Sequence, residues 1–300
     1  MKKKILITGI NGFIGQHCAD YFKKSGNIIF GIGHGVIKQK DSHQYVSADV
    51  SLSTLLNMQQ SFDVIIHCAG SGSVGYSINN PKGDYEKNVG ATKEVLEYMR
   101  LHNPNAKLIF LSSPAVVGEQ PQGPISEECS GQPVSPYGHN KKIAEEMCLK
   151  YFKEHGLNIN ILRMYSVYGI GLTKQLLWDA SNKFLNSQNP VKFFGTGEET
   201  RDFIHIKDVL KMMSVVVGLK SKFEILNCGS GTSYQVQNVV YMIKNLLGSL
   251  SEVEFNQQVN KGNPQHYWAD ISKAQKLGWT PEILLMDGLK EYIQWIKTIA

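Results

Sequence analysis

Lys4-Ile5-Leu6-Ile7-Thr8-Gly9-Ile10-Asn11-Gly12-Phe13-Ile14-Gly15 decides the fold. An apolar run suited to a buried strand, Lys4 to Thr8, passes directly into a GxxGxxG arrangement, and helix-compatible sequence follows from Gln16 to Lys24. Glycines at these three places let the backbone turn tightly, approach a pyrophosphate and pack helix on strand. The helix N-terminus then offers unpaired N–H groups to the anion. Such a motif alone is weak, and an ordinary glycine-rich turn is its plain alternative. Its position at the first strand-to-helix turn is what points to dinucleotide binding.

Outward from this turn the same rhythm recurs. Strand-like runs stand at Ile28 to Ile32, Val64 to Cys68, Leu108 to Ser112 and Ile159 to Met164, with helix-compatible sequence between them. Val89 to Leu101 puts Val95, Leu96 and Met99 on one helical face, and Gly138 to Tyr151 does the same with Ile143, Ala144, Met147 and Tyr151. Alternating strands and helices predict an α/β fold with a doubly wound parallel sheet, a Rossmann arrangement. From about Ser166 the pattern is less regular, with Gly195, Gly197, Gly229 and Gly231 at turns and a last helix over Leu284 to Thr298. The expectation is a dinucleotide-binding domain over 1–165 and a smaller C-terminal substrate-binding lobe over 166–300, interleaved with the first.

Composition is that of an ordinary globular chain, 300 residues with 42% hydrophobic and 19% charged. No run approaches the roughly 18 unbroken apolar residues of a membrane span. Basic residues open the chain, but the apolar stretch after them breaks at Gly9, so a cytoplasmic protein is expected rather than a secreted one. Cys18, Cys68, Cys129, Cys148 and Cys228 are odd in number and scattered, which argues against a disulfide framework and against a metal site. The net charge of +5 is dispersed beyond Lys2 to Lys4, so no nucleic-acid arm is expected.

An acidic side chain at the end of the second strand ordinarily bonds the ribose 2′-hydroxyl of NAD and would repel the 2′-phosphate of NADP. Gly33, followed by His34, stands there, with Lys38 and Lys40 nearby. This tilts the choice between NAD and NADP toward NADP, with an indifferent surface loop as the alternative. Asp49 is suited to the adenine amino group or, more blandly, to a helix cap.

Tyr137 and Lys141, four residues apart at the start of a predicted helix, point from one face. An ammonium near a phenol favours the phenolate, lowering a pKa that is ordinarily about 10 and making tyrosine usable as a base. A YxxxK match arises often by chance. Its context is Ser112-Ser113 at the end of a strand, where α/β sheets carry reacting groups, with Ser113 suited to share a hydrogen bond with the substrate oxygen. A nucleophilic serine is disfavoured, because the GxSxG elbow is missing and no histidine is placed as its base. His67 reads as a packed core histidine.

In this order the glycine turn, the serine pair and the YxxxK helix resemble the extended short-chain dehydrogenase/reductase family, particularly its nucleotide-sugar epimerases, reductases and dehydratases. Further matching segments are His67-Cys68-Ala69-Gly70, Asn88-Val89-Gly90-Ala91-Thr92, Ser135-Pro136-Tyr137-Gly138, Leu162-Arg163 to Tyr168-Gly169, Arg201-Asp202-Phe203-Ile204-His205 and Trp268 to Ala274. The resemblance implies Gly9, Gly12 and Gly15 at the pyrophosphate, with backbone N–H groups from Phe13 and Ile14. It implies Asp49 and Val50 at the adenine, and Ala69 and Gly70 along the cofactor. Asn88 would support the site, and Ser113, Tyr137 and Lys141 would form the catalytic triad. Arg201 would hold the diphosphate of a nucleotide sugar, a role that suits its planar fork. A homodimer pairing two helices per subunit is also implied.

The chain departs from the family pattern at several points. Gly33 replaces the acidic cofactor residue, Val117 the usual tyrosine, and Ser166 a substrate-binding asparagine. A second phosphate-binding arginine before Trp268 is missing, with only Lys261 near. The Asp-Glu pair that dehydratases carry is Pro114-Ala115, so a 4,6-dehydratase is disfavoured. A 4-epimerase and a 4-keto reductase are both left open. Gln265 to Asp270 resembles UDP-galactose 4-epimerases, in which the Tyr267 position limits sugar size, whereas Gly33 favours an NADPH-consuming reductase. A non-catalytic dinucleotide sensor is the alternative from another class, and it would have no need of Tyr137 and Lys141.

Overall fold

The computed structural model describes residues 2–35, 44–121, 123–186, 189–258, 262 and 264–299. Six strands come in sequence order, β1 (Lys4–Thr8), β2 (Ile28–Gly33), β3 (Gln44–Ser47), β4 (Val64–His67), β5 (Lys107–Ser112) and β6 (Asn158–Met164). Together with the strand Phe223–Cys228 they form a seven-stranded sheet, ordered Phe223–Cys228, β6, β5, β4, β1, β2, β3. Every pairing is parallel. The chain leaves β1 for β2 on one side and returns to β4 on the other. A crevice therefore opens at the carboxyl ends of β1 and β4, where such sheets bind ligands.

Period-2 alternation explains why the strands read as unbroken apolar runs: each buries both faces. Ile5, Ile7, Ile66 and Ile109 join Cys18 and Phe22 of the helix Phe13–Lys24 and Val209 and Met213 of the helix Ile206–Gly218. Leu6, Ile65, Leu108 and Phe110 face the other way, onto Val95, Leu96 and Met99 of the helix Ala91–His102 and Ala144 and Cys148 of the helix Pro136–His155. The Lys107 ammonium on β5 donates to the carbonyls of Val216 (2.8 Å), Val217 (3.4 Å) and Leu219 (2.6 Å), closing the C-terminus of the Ile206–Gly218 helix onto the sheet.

Two helical details differ from expectation. A π-turn, Glu86–Gly90, precedes the Ala91–His102 helix, so Asn88 and Val89 sit in a wider turn and are both buried. Ile143, grouped above with the core face, is 37% exposed while Ala144 beside it is fully buried, because one residue along a helix rotates the side chain by about 100°.

Past residue 165 the chain returns to the sheet. Phe223–Cys228 pairs with β6 from Phe223 opposite Ile159 to Cys228 opposite Met164. Three further helices, Gln175–Leu185, Val236–Leu247 and Leu285–Ile299, enclose a separate core around Tyr168, Leu177, Phe193 and Tyr292. Among the described residues no helix is long and apolar enough to cross a membrane.

Candidate active site

A cleft of about 830 Å³ runs from the glycine turn, past Ser113 and Tyr137, to Arg201 and Tyr267. At its floor Gly9 has φ +66, and a Cβ there would stand 2.7 Å from the Ala69 nitrogen. At Gly15 a Cβ would meet the Gly9 carbonyl oxygen at 2.3 Å, so the helix starts hard against the turn. Gly12, whose N–H donates to the Gly9 carbonyl (2.9 Å), is the N-cap of the Phe13–Lys24 helix and has no side chain to cap it. Phe13, Ile14 and Gly15 line the cleft with the helix N-terminus. A backbone hollow that a Cβ would fill, at a helix end without a side-chain cap, fits a pyrophosphate.

Gly33, His34, Asp49 and Val50 do not line this cleft, although Gly33 adjoins the glycine turn, where its Cβ would stand 3.5 Å from the Ile10 and Asn11 nitrogens. Asn11 Nδ2 donates to the His34 carbonyl (2.7 Å), and Tyr45 Oη donates to those of Gly33 (3.1 Å) and Gly35 (2.6 Å). His34 Nε2 lies 2.9 Å from Asp49 Oδ1, both side chains exposed. Ser51, not Asp49, caps the following helix Leu52–Asn57, and Val50 packs on the core beneath. Lys38, Lys40 and Lys261 lie outside the described residues.

A buried relay supports the middle of the cleft. The Ala69 N–H donates to Thr8 Oγ1 (3.2 Å), which donates to His67 Nδ1 (2.7 Å). His67 Nε2 meets Thr92 Oγ1 (3.2 Å), which donates to the Asn88 carbonyl (2.5 Å). This order requires neutral imidazole with its proton on Nε2. Burial, aided by the charge of Lys141, pushes His67 down to about 3, so the ring stays neutral. It fixes Ala69 on one side and Asn88 on the other. Both Asn88 Oδ1 (2.8 Å) and Lys141 Nζ (3.7 Å) approach the point where a Gly70 Cβ would stand.

Ser113 Oγ accepts the Ala115 N–H (3.2 Å), which leaves its own proton free to be donated into the cleft that it lines with Tyr137. Ser135 caps the Pro136–His155 helix through the Gly138 N–H (3.2 Å) and so fixes the turn that carries Tyr137 and Lys141. Lys141 is 5% exposed and donates to the Leu111 carbonyl (2.9 Å), its Nζ 4.9 Å from the Phe110 ring centre. Burial pushes its ammonium down to about 8, opposed by Asp84 and Glu145. The Tyr137 phenol departs from the expectation of a lowered pKa. Burial pushes it up to about 12, the Ser113 hydroxyl opposing and Asp84 adding, because in the protein alone desolvation is the largest influence on the phenol.

At the far end Arg201 donates to the Thr200 (2.7 Å) and Gln265 (3.3 Å) carbonyls and lies 6.0 Å from the Tyr267 ring centre. Burial lowers its pKa, and it bonds no carboxylate among the described residues. Such a cation fits an anionic ligand. Asp202 holds this end together by accepting the N–H groups of Ser230 (2.6 Å), Gly231 (3.0 Å) and Ala269 (3.1 Å). Ser166 lines the cleft, and its N–H donates to the Asp202 carbonyl (2.9 Å). Tyr267 also lines it, packs against Val116, Val117 and Ile125, and meets Tyr165 edge-on. Sequence reasoning missed the structural parts of Asp84, Thr92, Asn140, Tyr165 and Asp202. The available signal was the placing of Asp84 one helical turn before Asn88.

A glycine turn suited to a dinucleotide, a serine, tyrosine and lysine, and an arginine that bonds no carboxylate among the described residues, all along one crevice, define an enzyme of the extended short-chain dehydrogenase/reductase type. Residues 5–229 match the NAD dependent epimerase/dehydratase family, and the chain belongs to it. It is 33% identical to a putative UDP-glucose 4-epimerase of Methanocaldococcus jannaschii, over 98% of both chains. It is 28% identical to a UDP-glucuronate 4-epimerase of Thermodesulfobacterium geofontis, over 97% of this chain and 95% of that one. The UDP-glucuronic acid 4-epimerase of Bacillus cereus, solved with UDP-glucuronic acid and NAD, superposes with a TM-score of 0.89 at 30% identity, covering 99% of this chain and 100% of the other.

Proposed function

We propose that the protein is an NAD-dependent 4-epimerase of a UDP-activated hexose or hexuronic acid. One observation carries this: Ser113, Tyr137 and Lys141 line the same cleft as the open helix end at Gly12 and Arg201, a cation that bonds no carboxylate among the described residues. The 4-epimerase names of the relatives support epimerase over 4-keto reductase. A bound oxidised nicotinamide supplies a hydride acceptor at C4, and a positive charge that lowers the phenol. Tyr137 takes the 4-hydroxyl proton and returns it once the keto sugar has turned over, Ser113 steadies the same oxygen, and Arg201 bonds the diphosphate. Ser166 lies on the sugar side of the cleft. The decisive experiment follows UDP-glucose and UDP-glucuronate by NMR with catalytic NAD. C4 inversion without net change in NAD supports the reading; stoichiometric consumption of NADPH with a 4-keto sugar, and no inversion, overturns it.

The carboxylate of Asp49, held beside His34 at the strand end, supports NAD over NADP, as does the NAD in the related structure. Gly33→Asp is expected to weaken NADP at least tenfold more than NAD, by setting a second carboxylate beside a 2′-phosphate. A Cβ there would stand 3.5 Å from its nearest neighbours, an ordinary contact, so folding is not at issue. Equal effects in titrations with the two cofactors would remove Gly33 from the ribose.

Tyr267 is proposed as the wall that excludes a bulky 2-acetamido group. Tyr267→Ser should raise kcat/KM for N-acetylated sugars relative to plain hexoses, and the lost packing against Val116, Val117 and Ile125 should cost about 2–4 kcal/mol of stability. An unchanged preference ratio in the folded variant places Tyr267 outside the sugar site. The exposed Leu101 (48%) and Ile143 (37%) on two neighbouring helices support a homodimer, and a monomer mass by sedimentation overturns it.

A further inference from the structure

Asp84 is fully buried, three residues into the short helix Pro81–Tyr85. Its Oδ2 accepts Asn140 Nδ2 at 2.7 Å, while Oδ1 has no hydrogen-bond partner. Asn140 stands between Tyr137 and Lys141 on the Pro136–His155 helix, so this bond ties the catalytic turn to the short helix Pro81–Tyr85 that leads into the π-turn. The Asp84 backbone carbonyl accepts Asn88 Nδ2 (3.1 Å), and Asn88 Oδ1 is likewise buried and unpartnered beside Lys141. A half-satisfied carboxylate is costly to bury, and a nearby cation is what repays it.

We propose that Asp84 is a positioning residue that, through its bond to Asn140, fixes the turn bearing Tyr137 and Lys141 and holds a buried negative charge against that turn. This rests on the catalytic reading of that pair. The charge works in both directions: among the groups acting on Lys141, Asp84 and Glu145 raise its pKa, Cys148 and Cys68 add to them, and burial opposes all four. His67 beside it is neutral. The same carboxylate raises Tyr137, against the Ser113 hydroxyl, with Tyr267 the other phenol nearby. Removing the charge must therefore move both groups toward lower pH. A purely structural tether would move neither.

Asp84→Asn keeps the shape and removes the charge, and Asn140→Ala keeps the charge and removes the tether. In full-length protein with NMR-labelled lysine and tyrosine, assigned with Lys141→Arg and Tyr137→Phe, Asp84→Asn should shift both titration midpoints acidward, about tenfold in proton concentration. The pH profile of kcat should follow, with KM changed less. Asn140→Ala should lower kcat and leave the midpoints in place. Unshifted midpoints in folded Asp84→Asn overturn the proposal, as do equal shifts in Asn140→Ala. Asp84→Ser replaces the asparagine variant should that fail to fold. Because the titrations need no turnover, they judge Asp84 even if no sugar is epimerised, whereas failure of the epimerase reading alone leaves them intact.

Discussion

Replacing Tyr137 with phenylalanine is expected to lower kcat about a thousandfold and leave dinucleotide affinity within about threefold. The substitution deletes one hydroxyl. Ser113 Oγ keeps the Ala115 N–H, so the loop after β5 stays anchored. The glycine turn and the Ala69–Gly70 backbone, fixed by Thr8 and His67, are untouched. Retained activity within about tenfold, roughly 1.4 kcal/mol of barrier, would end the assignment.

The same variant carries a signature in stability. A phenol raised from 10 to about 12 on folding contributes stability that is full below pH 10 and is lost as pH climbs through 12. Phenylalanine has no such loss, so the variant should gain on the native protein above pH 10. Thermal melts at pH 7 and pH 11 measure this. A difference independent of pH would show that burial does not hold the Tyr137 proton.

What was legible in the sequence was whatever a short window encodes. The core strands are continuous apolar runs because both faces are buried, and β1, β2, β4, β5 and β6 stand within a residue of expectation at each end. Phe223–Cys228 escaped notice because its polar members, Glu224 and Asn227, break the run; Asn227 is buried all the same, donating to the carbonyls of Ile125 and Asp270. At the site, Ser113, Tyr137 and Lys141 were readable as residue types at the right spacing. The charges that tune them were not. Asp84 lies 53 positions before Tyr137 in the chain, and its link to that helix runs through Asn140, a contact separated by 56 residues that no local pattern reports. The direction of the Tyr137 shift was missed for a related reason. Spacing tells that an ammonium is near; only the fold tells that water is not.

Gly15→Ala is expected to weaken dinucleotide binding at least a hundredfold, about 2.7 kcal/mol, for a reason separate from chemistry at the sugar. Two effects compete. Alanine favours a helix over glycine by roughly 1 kcal/mol, and Gly15 is within the Phe13–Lys24 helix, so propensity alone predicts a gain. Against it, the added Cβ stands 2.3 Å from the Gly9 oxygen and 2.8 Å from the Ile10 Cα. Both atoms are backbone, and neither can rotate away, so the clash wins. Relief comes only if the first helical turn moves off the glycine turn, which carries the Phe13 and Ile14 N–H groups away from the pyrophosphate they would bond. Gly218→Ala is the control: Gly218 ends the Ile206–Gly218 helix, and its Cβ would meet nothing within 4 Å. Calorimetric titration of both variants decides the matter. Native affinity in folded Gly15→Ala would mean that the dinucleotide does not rest on this helix end.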